Sequence, residues 1–511
     1  MIILLITFSM FTSIISYSFK ESISNLVELK TEELDAAAKI KIMPNEIDLG
    51  YGGIESNEPT SPEDKEPKTD LETGKEVYPT INDSYAEQLI DSDAGTEFVF
   101  YEGTIGKHKY DIRFYLGDLR TVSSITNAFF ETMSGFTTTG ASILDNIEAL
   151  PHGLLFWRSM TQWIGGMGIV IFTIAVLPIF GVGGIQLFAA EATGPKFDKI
   201  TPRIDVTAKW IWTIYFGLTL AETILLMGGD MPLFDSVCHA MTTTATGGFS
   251  TKQASIAAFH SPYIEYVITS FMFLSGINFS LLYLLFLKGS FKRVFSDTEI
   301  RWYIKTLLFF TIVITTGLLL TSPMGLEEAF RKASFLVVSL QTTCGFITDD
   351  YMLWAPPLWM LTTIITYCGA CAGSTSGGIK CIRAVVMARI AKNEFKQILH
   401  PNAVLPVRVN GISVTATTKS TVLAFFVVFV LLVFVGWFTM MCIGLNFDDA
   451  YSVVISSLAN VGPGIGMCGP AFSWDALPDA AKWLSIVYML IGRLELFTVL
   501  LLLSPTFWKK R

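Results

Sequence analysis

Four short stretches carry the residues whose types and spacing could do chemistry. The first is Gly135-Phe136-Thr137-Thr138-Thr139-Gly140-Ala141-Ser142. Its relatives are Thr243-Thr244-Ala245-Thr246-Gly247-Gly248-Phe249, Gln341-Thr342-Thr343-Cys344-Gly345-Phe346 and Ala459-Asn460-Val461-Gly462-Pro463-Gly464. No Asp or Glu lies in any of them, so what they offer an ion is backbone carbonyl and threonine hydroxyl oxygen. Rings of carbonyls can replace the hydration shell of a cation. Without carboxylates, such a site suits a large, weakly hydrated monovalent ion rather than Ca²⁺. Glycine reaches backbone conformations closed to other residues, which such a turn needs. The candidate ligands are Thr138, Thr139 and Gly140; Ala245, Thr246 and Gly247; Thr343, Cys344 and Gly345; and Asn460, Val461 and Gly462.

Taking Gly140, Gly247, Gly345 and Gly462 as the pivots, the intervals are 107, 98 and 117 residues. That is an internal fourfold repeat. Each stretch follows a short apolar segment and precedes a long one, which predicts a half-helix, a filter turn and a spanning helix per unit. Half-helices are expected near 125–137, 234–244, 327–341 and 448–458. Spans are expected near 207–228, 303–321 and 420–444 ahead of the later filters. After the filters they are expected at 154–180, 262–287, from 358, and at 481–506. The C-terminal end of each half-helix would turn its negative dipole toward the filter, which favours a cation.

Composition sets the class. Hydrophobic residues make up 51% of the 511 and charged residues 16%, well below the quarter usual in soluble domains. The chain reads as an all-α polytopic membrane protein. Residues 1–18 are apolar and read either as a signal peptide or as the end of a spanning helix. Residues 19–120 hold 23 Asp+Glu against 11 Lys+Arg and form an acidic insertion outside the cytoplasm. The insertion is expected to be disordered near 50–80, with a short strand at Glu97–Tyr101. The pore units follow at 121–185, 203–290, 300–395 and 415–511. Basic residues concentrate in the loops between units, as in Lys288, Lys292 and Arg293 or Arg383, Arg389 and Lys392, and in the terminal Lys509-Lys510-Arg511. These connections face the cytoplasm by the positive-inside rule, and the filter-bearing connections face outward.

Other chemistries find little support. There is no basic domain for nucleic acid. A membrane-embedded enzyme would need a clustered nucleophile, acid–base pair or metal set, and none is visible. Cys368-x-x-Cys371 has no second pair, so no transition-metal site is expected.

Taken with Gln162-Trp163-Ile164-Gly165-Gly166-Met167-Gly168, Ala372-Gly373-Ser374-Thr375-Ser376-Gly377-Gly378-Ile379-Lys380 and Gly492-Arg493-Leu494-Glu495, the four stretches resemble the TrkH-type membrane subunit of the Trk/Ktr/HKT potassium-transporter superfamily. The resemblance implies four fused helix–pore-loop–helix units around one K⁺ pore in the bacterial inner membrane. It implies K⁺ as the transported ion with no cofactor, a homodimer, and a cytosolic nucleotide-binding ring of TrkA/KtrA type. It implies that glycine at all four filter positions goes with K⁺ preference, and that serine in the first would admit Na⁺. It assigns a gate to an intramembrane loop containing Gly369, Gly373, Ser374, Thr375, Ser376, Gly377 and Gly378, together with Lys380 and Arg493. Small residues make that run a poor helix former, and a charge at the depth of Arg493 needs a cavity or a partner such as Glu495. Asn278 and Glu222, also in apolar segments, read as helix–helix hydrogen-bonding or interfacial residues. The resemblance also implies extra spanning helices where this chain has residues 1–18. The alternative reading is accordingly a non-conducting or N-terminally incomplete receptor or assembly protein of the same fold.

Overall fold

The structure is a computed structural model that describes residues 52–57, 97–105, 108–115, 125–176, 204–470, 472–494 and 496–503. The readings of residues 1–18, Glu495 and the terminal basic cluster lie outside these. The described residues divide into two compact units, one holding those up to 129 and 144–154, the other holding 130–143 and those from 155 onward. In the first, strands β1 (Gly52–Asn57), β2 (Glu97–Ile105) and β3 (His108–Tyr115) form an antiparallel sheet in the order β1-β3-β2. The strand expected at Glu97–Tyr101 is the start of β2, and its register shifts between Val99 and Tyr101.

The second unit repeats one pattern four times. Helix α1 (Ile125–Phe136), which begins in the first unit, leads to the first turn and then α2 (His152–Val176). Next come α3 (Ile204–Met227), the half-helix α4 (Leu233–Thr244), then α5 (Pro262–Ser275), α6 (Phe279–Phe286) and α7 (Phe291–Ser296). The third repeat has α8 (Thr298–Thr321), the half-helix α9 (Leu326–Gln341), α10 (Pro356–Tyr367) and α11 (Cys381–Leu399). The fourth has α12 (Ala416–Ile443), the half-helix α13 (Phe447–Ala459), α14 (Asp479–Arg493) and α15 (Leu496–Leu503). Helix starts follow local rules. The Asp297 carboxylate accepts the Glu299 and Ile300 N–H groups at the head of α8, and Thr415 caps α12. Proline opens α5 and α10. By length and composition α8, α12 and α3 over Lys209–Met227 can each cross a membrane.

The helices that follow the four turns are not the continuous spans expected at 154–180, 262–287 and 481–506. Gly168 breaks α2 with φ 73°. Helices α5 and α6 are bent by 109°. The third break is the loop between α10 and α11, the one interruption the composition revealed, and the fourth separates α14 from α15. The second break has protein partners, as backbone at membrane depth requires. The Asn278 side chain accepts the Ser280 N–H to start α6, while Phe279 N–H donates to the Gly373 carbonyl. Asn278 is therefore a helix cap rather than a helix–helix bridge. Glu222, on α3, is fully buried, and neither carboxylate oxygen has a hydrogen-bond partner among the described residues.

Candidate functional site

All four half-helices end in the same strained turn. Thr138, Thr246, Thr343 and Asn460 have φ of 52°, 52°, 57° and 56°. Asparagine tolerates this left-handed conformation, but for a β-branched residue it is an outlier. The strain is held by a repeated pair of backbone bonds. In the first turn Thr138 N–H donates to the Gly135 carbonyl and Thr139 N–H to the Ser134 carbonyl, both at 2.9 Å. The pairs Thr246→Thr243 with Gly247→Thr242, Thr343→Leu340 with Cys344→Ser339, and Asn460→Ser457 with Val461→Ser456 repeat it. This is the Schellman arrangement for closing a helix C-terminus, built without its usual glycine. Three threonines holding such a conformation, at a cost of about 1–3 kcal/mol each, make these turns the candidate functional site.

Two residues past each strained residue is a glycine with φ between 80° and 94°: Gly140, Gly248, Gly345 and Gly462. This shifts the second repeat by one residue. Its pivot is Gly248, not Gly247, and its strand is Thr246-Gly247-Gly248. Ala245 caps α4, donating its N–H to the Met241 carbonyl, and does not belong to the strand. Sequence spacing misplaced the register because two glycines adjoin.

The four strands close on one another. A Cβ on Gly140 would overlap the Gly247 carbonyl oxygen, one on Gly248 the Cys344 oxygen, one on Gly345 the Val461 oxygen, and one on Gly462 the Thr139 oxygen. Each repeat's glycine thus packs on the carbonyl of the next, and the fourth returns to the first. The strand residues Thr138, Thr139, Thr246, Thr343, Cys344, Asn460 and Val461 are fully buried. The Thr138 hydroxyl and the Asn460 carboxamide oxygen have no hydrogen-bond partner among the described residues.

Two side chains of α2 brace this ring, and the sequence reading gave neither a role. Gln162 bonds to the second strand. Arg158 donates through Nε to Glu131 at 2.9 Å and through Nη1 to the Ser250 carbonyl at 3.2 Å, and its guanidinium lies 4.3 Å from the Phe249 ring centre. Glu131 in turn accepts the Ser142 hydroxyl and the Ile143 N–H. Side-chain exposures of 5% for Arg158 and 9% for Glu131 make this a buried pair. Removing one partner of such a pair costs about 3–5 kcal/mol, so Arg158→Ala is expected to lower the unfolding midpoint of the purified protein markedly. A charged residue within an apolar span was the available signal.

The break between α10 and α11 lies against the strained residues. Gly377 N–H donates to the Thr343 hydroxyl at 2.6 Å, and the Thr246 hydroxyl donates to that of Thr375 at 3.3 Å. Thr375 also donates to the Thr244 carbonyl. At the loop's base the Glu299 carboxylate accepts the N–H groups of Ala372 at 2.7 Å and Ile382 at 3.0 Å. Gly369 N–H donates to the Ile379 carbonyl, Ser374 pairs with Ser376, and Lys380 donates to the Ser376 carbonyl. A Cβ on Gly373 would press on the Asn278 side chain. Arg493 donates to the Thr375 carbonyl at 2.7 Å, to the Gly166 carbonyl at 3.1 Å, and to the Gly165 carbonyl. The break at Gly168 frees carbonyls of the preceding turn, and Arg493 takes up two of them.

Four repeats, each a half-helix, a strained turn and an interrupted span, define a multi-pass membrane protein built from re-entrant loops. The profile of the TrkH family of cation transport proteins matches residues 87–510, and the chain belongs to that family, whose members are transporters and not enzymes. It is 41% identical over 391 residues to the Trk system potassium uptake protein TrkH of Salmonella typhimurium, covering 76% of this chain and 80% of that one. Identity to the TrkH of Escherichia coli K12 is 40% over 395 residues, with the same coverage. The crystal structure of the potassium transporter TrkH from Vibrio parahaemolyticus superposes with a TM-score of 0.68 at 36% identity, covering 77% of this chain and 83% of that one.

Proposed function

We propose that this chain takes up K⁺ across the bacterial inner membrane through one central pore per subunit. The filter is formed by Thr138-Thr139-Gly140, Thr246-Gly247-Gly248, Thr343-Cys344-Gly345 and Asn460-Val461-Gly462. The observation that carries this reading is the closed ring, in which each positive-φ glycine packs on a carbonyl of the next strand. Such a ring supplies preplaced oxygens to a dehydrated ion. The relatives' names as potassium uptake proteins support K⁺ as the ion.

The loop from Gly369 to Gly378, with Lys380 and Arg493, acts as the gate. Its support is the direct bonding of Thr375 and Gly377 to the strained residues of two filter strands. The working assembly is a homodimer with a cytosolic nucleotide-binding ring, as expected from the Trk-system resemblance. A simple test is ion-dependent stability. In detergent at equal ionic strength, KCl should raise the unfolding midpoint above that in NaCl, since a ligand that binds only the folded state stabilises it. Equal midpoints across the millimolar range would count against a K⁺ site in the filter.

A further inference from the structure

The second filter strand carries two adjacent glycines, and the backbone requires only one. Gly248 has φ 80°, whereas Gly247 is not in the left-handed region. The other strands place Thr139, Cys344 and Val461 at the position of Gly247. Space explains the difference. A Cβ on Gly247 would collide with the carboxamide of Gln162, which comes from α2 of the first repeat and is fully buried.

That carboxamide bonds to the strand twice. Its Nε2 donates to the Gly247 carbonyl at 2.7 Å, and its Oε1 accepts the Phe249 N–H at 3.0 Å. The two bonds together fix which end of the amide faces which group. The Gly247 oxygen is also the ring oxygen packed on Gly140. A carbonyl held by an amide donor is restrained in position, and one of its lone pairs is engaged. Na⁺ is smaller than K⁺ and needs the ring to draw inward, so a restrained oxygen penalises Na⁺ more.

We propose that Gln162 is a specificity-determining positioning residue: it occupies the place of the side chain missing from the second filter strand, and its bond to the Gly247 oxygen sharpens discrimination of K⁺ from Na⁺. This rests on the filter reading above, and the test separates the two. The K⁺/Na⁺ permeability ratio is measured in proteoliposomes for Gln162→Glu, Gln162→Met and the filter variant Gly140→Ser. Gln162→Glu keeps the acceptor and, when ionised, loses the donor; Gln162→Met keeps the length and loses both. The bond to the Gly247 oxygen is the one lost in both variants, and its loss corresponds to a fall of up to about tenfold in the ratio. A wild-type ratio in both Gln162 variants, with a fall in Gly140→Ser, overturns the inference and leaves the filter standing. No fall in Gly140→Ser overturns the filter reading and this inference with it. The steric part has its own readout, which also serves if Gln162→Glu does not fold. Gly247→Thr should abolish flux, and Gln162→Ala/Gly247→Thr should restore it, a coupling expected only of groups that share one space. A double variant as inactive as Gly247→Thr, beside a conducting Gln162→Ala, overturns the stand-in role.

Discussion

Gly140→Ser is expected to admit Na⁺ and to lower the K⁺/Na⁺ permeability ratio at least tenfold. The expectation follows from two independent features of the residue. Its φ of 80° lies where an L side chain is strained. Its Cβ would overlap the Gly247 carbonyl oxygen of the next strand, so either the glycine position or that oxygen must move. A tenfold change corresponds to about 1.4 kcal/mol, less than the strain and overlap together can impose. Because the ring closes through all four strands, Gly248→Ala, Gly345→Ala and Gly462→Ala should act in the same direction. Bi-ionic flux in proteoliposomes measures it. A Gly140→Ser protein that keeps the wild-type ratio would remove the first strand from the filter.

Arg493→Ala is expected to raise K⁺ flux strongly. If Arg493 lines the proposed pore, a unit positive charge there opposes the ion by ~2 kcal/mol at roughly 8 Å and an effective dielectric of ~20, which is on the order of 30-fold in rate. The same side chain ties the Thr375 carbonyl of the loop between α10 and α11 to the Gly165 and Gly166 carbonyls of α2, so its removal also releases that loop. Arg493→Lys separates the two effects. Lysine keeps the charge but lacks the planar fork that reaches three carbonyls at once. Flux near wild type in Arg493→Lys and high in Arg493→Ala identifies an electrostatic barrier; high flux in both identifies a mechanical tie. Unchanged flux in Arg493→Ala would exclude either role.

Much of this architecture is legible in the sequence, because its strongest signals are periodic. Apolar length marks α3, α8 and α12, and four glycine-containing stretches, three of them with threonine, mark the turns after the half-helices. What escaped the sequence is local geometry that side-chain type does not encode. Nothing in Thr138, Thr246 or Thr343 announces a positive φ, since propensity argues against it. The Gly247-Gly248 pair hid which glycine turns the chain, and the φ of Gly248 with its contact to Cys344 resolves it. The broken spans read as continuous apolar runs, because Gly168 and Asn278 are single residues whose effect depends on partners far along the chain. Gln162, Arg158 and Glu131 were visible as polar residues in apolar segments, but their partners Gly247 and Ser250 lie 85 and 92 residues from Gln162 and Arg158.

The most direct test of the central claim is K⁺ against Na⁺ flux in proteoliposomes containing the 511-residue chain. A filter built from the Thr139, Gly247, Cys344 and Val461 carbonyls predicts K⁺ flux well in excess of Na⁺ flux, with the preference lost in Gly140→Ser. Equal passage of the two ions by monodisperse wild-type protein would contradict it.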